Sequence, residues 1–137
     1  SELTRLESME DRLRRAEADY KEKLKAYRAE AALLTQIVRG VDDPRLRICL
    51  DLGHANTFAS KEPPEAWLRA CAPFLSHVHL HNNEGGRDLH AVLMDGKMDC
   101  AALLRLLAQL APEATCTLEL MQDRPSLRWL EEQELLE

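Results

Sequence analysis

The segment Arg47-Ile-Cys-Leu-Asp-Leu-Gly-His54 is typical of a short apolar strand that ends in an acid and a histidine. Two later segments follow the same plan, His77-Val-His-Leu-His81 and Thr115-Cys-Thr-Leu-Glu119. Because side chains alternate between the two faces of a strand, the acids and histidines lie opposite the aliphatic residues. One face of each strand can therefore pack under helices, while the other carries polar groups.

The stretches around these strands predict helices. We expect them over about 62–72, 100–110 and 127–136, with Asp99 and Ser126 as N-caps of the last two. Strands that alternate with helices indicate a parallel sheet with right-handed crossovers. The predicted fold class is α/β, with about three parallel strands and flanking helices.

The N-terminal region has a different pattern. Residues 2–39 contain no Gly or Pro, and their apolar side chains recur at steps of three or four. We therefore predict one long amphipathic helix of about 55 Å. Its apolar stripe fits either a coiled-coil seam or a face docked on the sheet, and it consists of Leu6, Met9, Leu13, Ala16, Tyr20, Leu24, Tyr27, Ala31, Leu34 and Val38.

These patterns divide the chain into two parts. Residues 1–40 form the coiled-coil-like helix, and residues 41–137 form the α/β unit. Because the helix is longer than a small sheet can cover, we expect self-association into a homodimer or a higher homo-oligomer.

The composition of the chain indicates its cellular setting and argues against some classes of binding partner. The net charge is −6 and the isoelectric point is about 5.4, which argues against broad binding to nucleic acid. No apolar run reaches the roughly 20 residues that span a bilayer, and the charged start does not resemble a signal peptide. The four cysteines form no C-x-x-C pair, so we expect a reducing, cytoplasmic setting and no membrane partner.

The polar strand ends suggest a metal site. The carboxyl ends of parallel strands meet at one edge, so Asp51, His79 and Glu119 are expected to converge. A mixed carboxylate and imidazole set suits Zn²⁺ or Mn²⁺. The alternative is structural, because a strand-end acid often caps the next helix and a single histidine is usually only a satisfied polar residue.

Several motifs together resemble one family. Residues from about 31 onward resemble the C-terminal part of a sugar phosphate isomerase/epimerase of the xylose isomerase-like TIM-barrel superfamily, which also includes nucleases of the endonuclease IV type. The resemblance covers about three βα units of an eight-unit barrel. The matching stretches are Cys49-Leu-Asp-Leu-Gly-His-Ala-Asn56, His77-Val-His-Leu-His-Asn-Asn83, Arg87-Asp-Leu-His90, Asp95-Gly-Lys-Met-Asp99 and Thr117-Leu-Glu119.

The resemblance implies a partial TIM barrel and roles for particular residues. Asp51, His79 and Glu119 match metal ligands that both branches share, and Glu119 also matches an acid/base carboxylate of the epimerases. His54 matches a residue that contacts substrate in the epimerases, where we expect a catalytic role, and metal in the nucleases.

Three further residues match positions in the loop after the second strand. Asp88 and His90 match additional zinc ligands of the nuclease-like branch. Arg87 matches a substrate-binding position.

The sequence also departs from the family pattern. It has no counterpart of the earlier barrel strands, including the one that supplies a second acid/base carboxylate, and residues 1 to about 30 do not resemble the barrel. The resemblance therefore implies descent from a metal-dependent sugar or sugar phosphate isomerase/epimerase with Mn²⁺ or Zn²⁺ as its cofactor. The missing strands leave open whether this chain is complete and active and whether it retains the ion.

Two alternatives stay open. One is a non-catalytic oligomeric scaffold, a recombined or designed chimera, which the sequence favours slightly over an active enzyme. The other is a zinc-dependent phosphodiesterase of the abasic-site nuclease type, against which the acidic charge argues.

Overall fold

A computed structural model describes residues 1–25 and 28–136. Three parallel strands form one sheet in the order β1-β2-β3, with helices beside it, so the predicted α/β class and the strand polarity are confirmed. No helix in the described ranges is long and apolar enough to cross a membrane. The elements are α1 Glu2–Lys25, α2 Ala31–Val41, β1 Ile48–Asp51, α3 Leu52–Ala55, α4 Pro64–Cys71, a 3-10 turn Ala72–Phe74, β2 Leu75–Leu80, α5 Cys100–Leu110, β3 Thr115–Leu118 and α6 Arg124–Glu132.

The register of the strands determines which residues at their polar ends lie next to one another. Asp51 of β1 pairs with His79 of β2, and His79 pairs with Thr117 of β3. The ladder continues one residue beyond β3, where the Glu119 amide donates to the Leu80 carbonyl at 3.1 Å. The ends of the three strands therefore lie side by side.

The two faces of the sheet differ in burial. The aliphatic side chains of β1 and β2 lie in the core with α4 and α5, and they are Ile48, Leu50, Val78 and Leu80. The opposite face is partly open, since Cys49 and Thr117 are exposed and His77 and His79 are half-buried. Helix α5 begins as predicted, because the Asp99 carboxylate accepts a hydrogen bond from the Ala102 amide at 2.9 Å.

A long N-terminal helix is present, but the predicted continuous helix over 2–39 is wrong. Helix α2 starts only at Ala31, after a segment in which Ala29 pairs with Ser60 in a parallel bridge. The Ala29 amide donates to the Ala59 carbonyl, and the Ala29 carbonyl accepts from the Lys61 amide. These bonds need an extended backbone, which overrides local helix propensity. Tyr27 of the predicted stripe lies outside the described residues.

Helix α2 joins the α/β unit. Ala31 and Val38 are buried in its core, and α2 lies against α4. The division of the chain at residue 40 stays a prediction.

The last helix begins earlier than expected. It spans Arg124–Glu132, so the prediction of a helix over 127–136 with Ser126 as its N-cap is wrong. Ser126 is buried inside the first turn of α6, and its hydroxyl accepts a hydrogen bond from the Leu93 amide at 3.0 Å. The residue therefore ties α6 to the loop after β2.

A buried asparagine organises that loop. The Asn82 amide group donates to the carbonyls of Leu93 and Met98, and its Oδ1 accepts from the amides of Asn83 and Met98, at 2.9 to 3.1 Å. A Cβ at Gly96 would lie 2.3 Å from that Oδ1, and Gly96 has a φ of +151°. Asn82 therefore holds both ends of the loop that carries residues 84–90.

Replacing Asn82→Ala should lower the free energy of unfolding by about 2–4 kcal/mol, because it leaves several buried backbone groups without partners. Chemical denaturation measures the change. The control is Gln122→Ala at an exposed position, which should shift the free energy by less than about 0.5 kcal/mol. Equal stability of the two variants would contradict this role for Asn82.

Candidate metal centre

Asp51 is the last residue of β1 and the N-cap of α3. Its Oδ1 accepts a hydrogen bond from the His54 amide at 2.8 Å, which ends the strand and starts the helix. The short helix returns the His54 ring to the same carboxylate, with Nδ1 3.1 Å from Asp51 Oδ2. The structural role expected for a strand-end acid is therefore present, and it positions a second candidate residue.

The neighbouring strands bring the other two predicted ligands to Asp51. His79 Nδ1 lies 3.8 Å from Asp51 Oδ2 and 3.2 Å from Glu119 Oε1. All three side chains are only partly buried. The sheet thus brings Asp51, His79 and Glu119 together.

Asp88 and His90 approach this edge from the loop after β2. Asp88 Oδ2 lies 2.8 Å from His54 Nε2 and 3.2 Å from His90 Nε2. The other ring nitrogen of His90 lies 2.8 Å from the Glu119 carbonyl oxygen. His90 has a φ of +49°, a left-handed conformation that few non-glycine residues adopt. The hydrogen bonds at both ring nitrogens hold it there.

His81 is a member of this cluster that the sequence did not single out. Its side chain is 0% exposed, and its ring stacks on that of His90 with centroids 4.0 Å apart. Gly53 makes room for the ring, since a Cβ there would lie 2.0 Å from it. The alternation of side chains along β2 already puts His81 on the face of His79, but nothing in the sequence shows that Gly53 would allow it to turn inward.

The ring nitrogens of His81 lack suitable hydrogen-bond partners. Nε2 lies 3.0 Å from Asp51 Oδ1 and Nδ1 lies 3.6 Å from Asp88 Oδ1, but neither contact has hydrogen-bond geometry. No other group among residues 1–25 and 28–136 bonds to either nitrogen. Buried polar atoms are usually satisfied, so an imidazole buried beside two carboxylates without a well-directed hydrogen bond points to a ligand at this position.

The donors form two overlapping groups. Ligand atoms of His54, His81, Asp88 and His90 all lie within 4.8 Å of one another, and so do those of Asp51, His81 and Glu119. The first group is mainly imidazole, which suits zinc, and the second contains two carboxylates, which suit manganese. The donor chemistry and the unpaired His81 nitrogens both fit a divalent cation.

The surroundings of Asp51 and Asp88 favour the charged form of both carboxylates. Burial tends to raise the pKa of Asp51, but the nearby His81 ring and the His54 amide outweigh it, so the pKa lies below its usual value. The pKa of Asp88 is also lowered, since His54 outweighs partial burial. The pKa of His90 is raised, mainly by its bond to the Glu119 carbonyl. Both aspartates are therefore anionic at neutral pH.

Arg87 is the one predicted site residue that lies apart from this cluster. It is exposed, and it makes no hydrogen bond or ion pair with the residues that the structure describes. It immediately precedes Asp88, so it stands at the rim of the cluster without contacting it.

Known proteins share parts of this architecture. An uncharacterized protein of Methanocaldococcus jannaschii is 29% identical over 86 residues, which cover 63% of this chain and 29% of that protein. The crystal structure of a D-tagatose 3-epimerase-like protein superposes with a TM-score of 0.65 and 27% identity, over 76% of this chain and 40% of the other. The chain thus spans less than half the length of these relatives.

The family assignment rests on most of the chain. Residues 14–137 match the family described as "Xylose isomerase-like TIM barrel". The match begins inside α1, earlier than the start at about residue 31 that the sequence motifs predicted. The parallel strands, the likeness to the epimerase-like structure and the polar residues at the strand ends agree with that match. The chain belongs to the xylose isomerase-like TIM-barrel family.

Proposed function

We propose that this chain carries the metal-holding portion of a sugar or sugar phosphate isomerase/epimerase site. The observation that carries the proposal is the convergence of Asp51, His79 and Glu119 at one sheet edge, next to the buried His81, whose ring nitrogens have no well-directed hydrogen bond. The family and the epimerase-like neighbour support descent from sugar isomerases and epimerases. A bound divalent cation would supply Lewis acidity at a carbonyl oxygen.

Glu119 is suited to move a proton. Its carboxylate is half-buried and lies 3.2 Å from His79 Nδ1, so the strand end and the imidazole fix its position. A carboxylate beside a cation is the usual base for abstraction of a proton next to a carbonyl. We assign Glu119 as a metal ligand and as the proton acceptor.

His54 and Arg87 are assigned to the substrate. The His54 ring is fixed between two carboxylates, with Nδ1 3.1 Å from Asp51 and Nε2 2.8 Å from Asp88. Its side chain is about half exposed, so a hydroxyl group could reach it from solvent. Arg87 at the rim presents a positive charge suited to a phosphate group.

Metal binding can be tested by replacing two histidines of β2 in turn, one that is a proposed ligand and one that is not. His79→Ala should weaken Mn²⁺ binding more than about tenfold, because it removes a ligand between two carboxylates. His77→Ala is the control, since His77 lies on the same face but contacts Thr115 and Thr117 at 2.6 and 2.8 Å. Isothermal titration calorimetry measures both affinities.

The control variant should bind Mn²⁺ as the unaltered chain does. Equal loss of affinity in both variants, or no binding of Mn²⁺ or Zn²⁺ by the unaltered chain, would contradict the proposed cation site. Circular dichroism of each variant verifies that the fold is retained.

Proton abstraction is testable by isotope exchange. The Mn²⁺-loaded chain in D₂O should exchange the C3 proton of D-tagatose, a probe suggested by the epimerase-like neighbour. Glu119→Gln should reduce this exchange by more than about 100-fold, as expected for loss of an acid/base group. Proton NMR follows the reaction.

Glu113→Gln is the control for that change. Glu113 is an exposed carboxylate just before β3, away from the strand ends, and its replacement should leave exchange unchanged. If a metal-loaded chain exchanges no proton of D-tagatose or of other ketoses and their phosphates, the isomerase/epimerase assignment fails even though the cation site stands.

A second candidate function follows from the histidine-rich group. His54, His81, Asp88 and His90 form a set suited to zinc, which favours a zinc phosphodiesterase acting on abasic DNA. A zinc-loaded chain would then cleave a duplex with one abasic site, and Asp88→Asn would abolish cleavage. Uncut duplex would exclude this candidate, against which the net charge of −6 already argues.

A further inference from the structure

No part of the chain that the structure describes covers helix α1. Every side chain of residues 1–23 is exposed, although the helix carries a stripe of apolar residues. Leu6, Leu13 and Tyr20 are 53%, 68% and 63% exposed. Most of the stability of helices in proteins comes from packing of an apolar face, so the exposed apolar stripe of α1 points to a partner.

The stripe has the period of a coiled coil. Leu6, Met9, Leu13, Ala16 and Tyr20 follow one another by steps of three, four, three and four. This is an a/d pattern over two heptads, with Leu6, Leu13 and Tyr20 at a and with Met9 and Ala16 at d, and the next d positions on either side carry Glu2 and Lys23. It produces a narrow seam for one other helix, whereas a helix docked on a sheet has a wider apolar face.

The charges beside the seam identify the partner and its direction. The g positions of α1 carry Arg5, Arg12 and Asp19, and the e positions carry Leu3, Glu10, Glu17 and Leu24. In a parallel pair, each g residue faces the e residue five positions later on the other helix. Arg5 then faces Glu10 of the second copy, and Arg12 faces Glu17, on both sides of the seam.

The antiparallel arrangement is less favourable. It places e positions opposite e positions, so Glu10 would lie against Glu17 of the second copy. Among the described residues, Glu10 pairs with Arg14 at 3.8 Å and Glu17 pairs with Lys21 at 3.2 Å, and such exposed pairs contribute little. Arg5 and Arg12 form no ion pair within residues 1–25 and 28–136.

We propose that α1 is a dimerisation helix that pairs with α1 of a second copy of this chain as a parallel, in-register two-stranded coiled coil. The complementary g and e charges commit the seam to an identical helix. This proposal is independent of the proposed function, because no residue of the metal centre lies in α1.

The test compares two alanines on the same helix. Ala16→Glu puts a charge into the seam at d and should weaken self-association at least about tenfold. Ala18→Glu makes the same change at f, on the opposite side of the helix, and should leave association unchanged. Sedimentation equilibrium of the full chain measures masses between 15.6 kDa and twice that value.

A gain of association provides a second, independent variant. Ala16→Leu enlarges the seam at d and should strengthen association, while circular dichroism verifies that each variant stays folded. The proposal is overturned if the unaltered chain and Ala16→Leu both remain at 15.6 kDa, or if Ala16→Glu and Ala18→Glu have equal effects.

Crosslinking tests the direction of the helices. In a parallel dimer, Leu6→Cys brings the two introduced thiols together at a, so mild oxidation should join two chains through a disulfide. The unaltered chain is the reference, because Cys49 and Cys116 are exposed. Crosslinking no greater than in the reference would overturn the parallel arrangement.

Discussion

The Asp51 carboxylate is the interaction on which the rest of the site depends. One oxygen accepts the His54 amide and so turns the chain from β1 into α3, while the same group lies close to His79 and His81. The parallel register then aligns the ends of β2 and β3 with it. The Asp51 carboxylate therefore caps a helix and also lies beside several imidazoles. The many potential metal-ligand atoms around it suit a cation.

The loop after β2 brings two further polar residues, Asp88 and His90, to the ends of the strands. Asn82 closes the loop from inside through four hydrogen bonds, and this fixes the position from which Asp88 and His90 reach the strand ends. His90 in turn bonds to the Glu119 carbonyl, so the loop and β3 hold each other. The small glycines at 53 and 96 allow the buried His81 and Asn82 side chains to fit. The paired polar interior behind the loop therefore holds the two candidate ligands Asp88 and His90 in place.

Much of this was predictable from local patterns, and the exceptions have physical causes. The alternation in β1, β2 and β3 predicted which side chains share a face, and Asp99 predicted the start of α5. The break before α2 comes from pairing with a segment about 30 residues away, which helix propensity cannot report. Ser126 resembled a cap, but a tertiary hydrogen bond to Leu93 governs it. His81 was missed as a ligand because its inward turn depends on space left by Gly53.

The central claim is that these strand ends hold a divalent cation. Its most direct test is a crystal structure of the chain grown with Mn²⁺, with an anomalous difference map at the manganese edge. If the strand ends hold the cation, the map should show a strong peak within coordination distance of Asp51, His79 and Glu119. A protein crystallised at saturating Mn²⁺ with no peak there, or with its peaks only at other acidic residues, would contradict it.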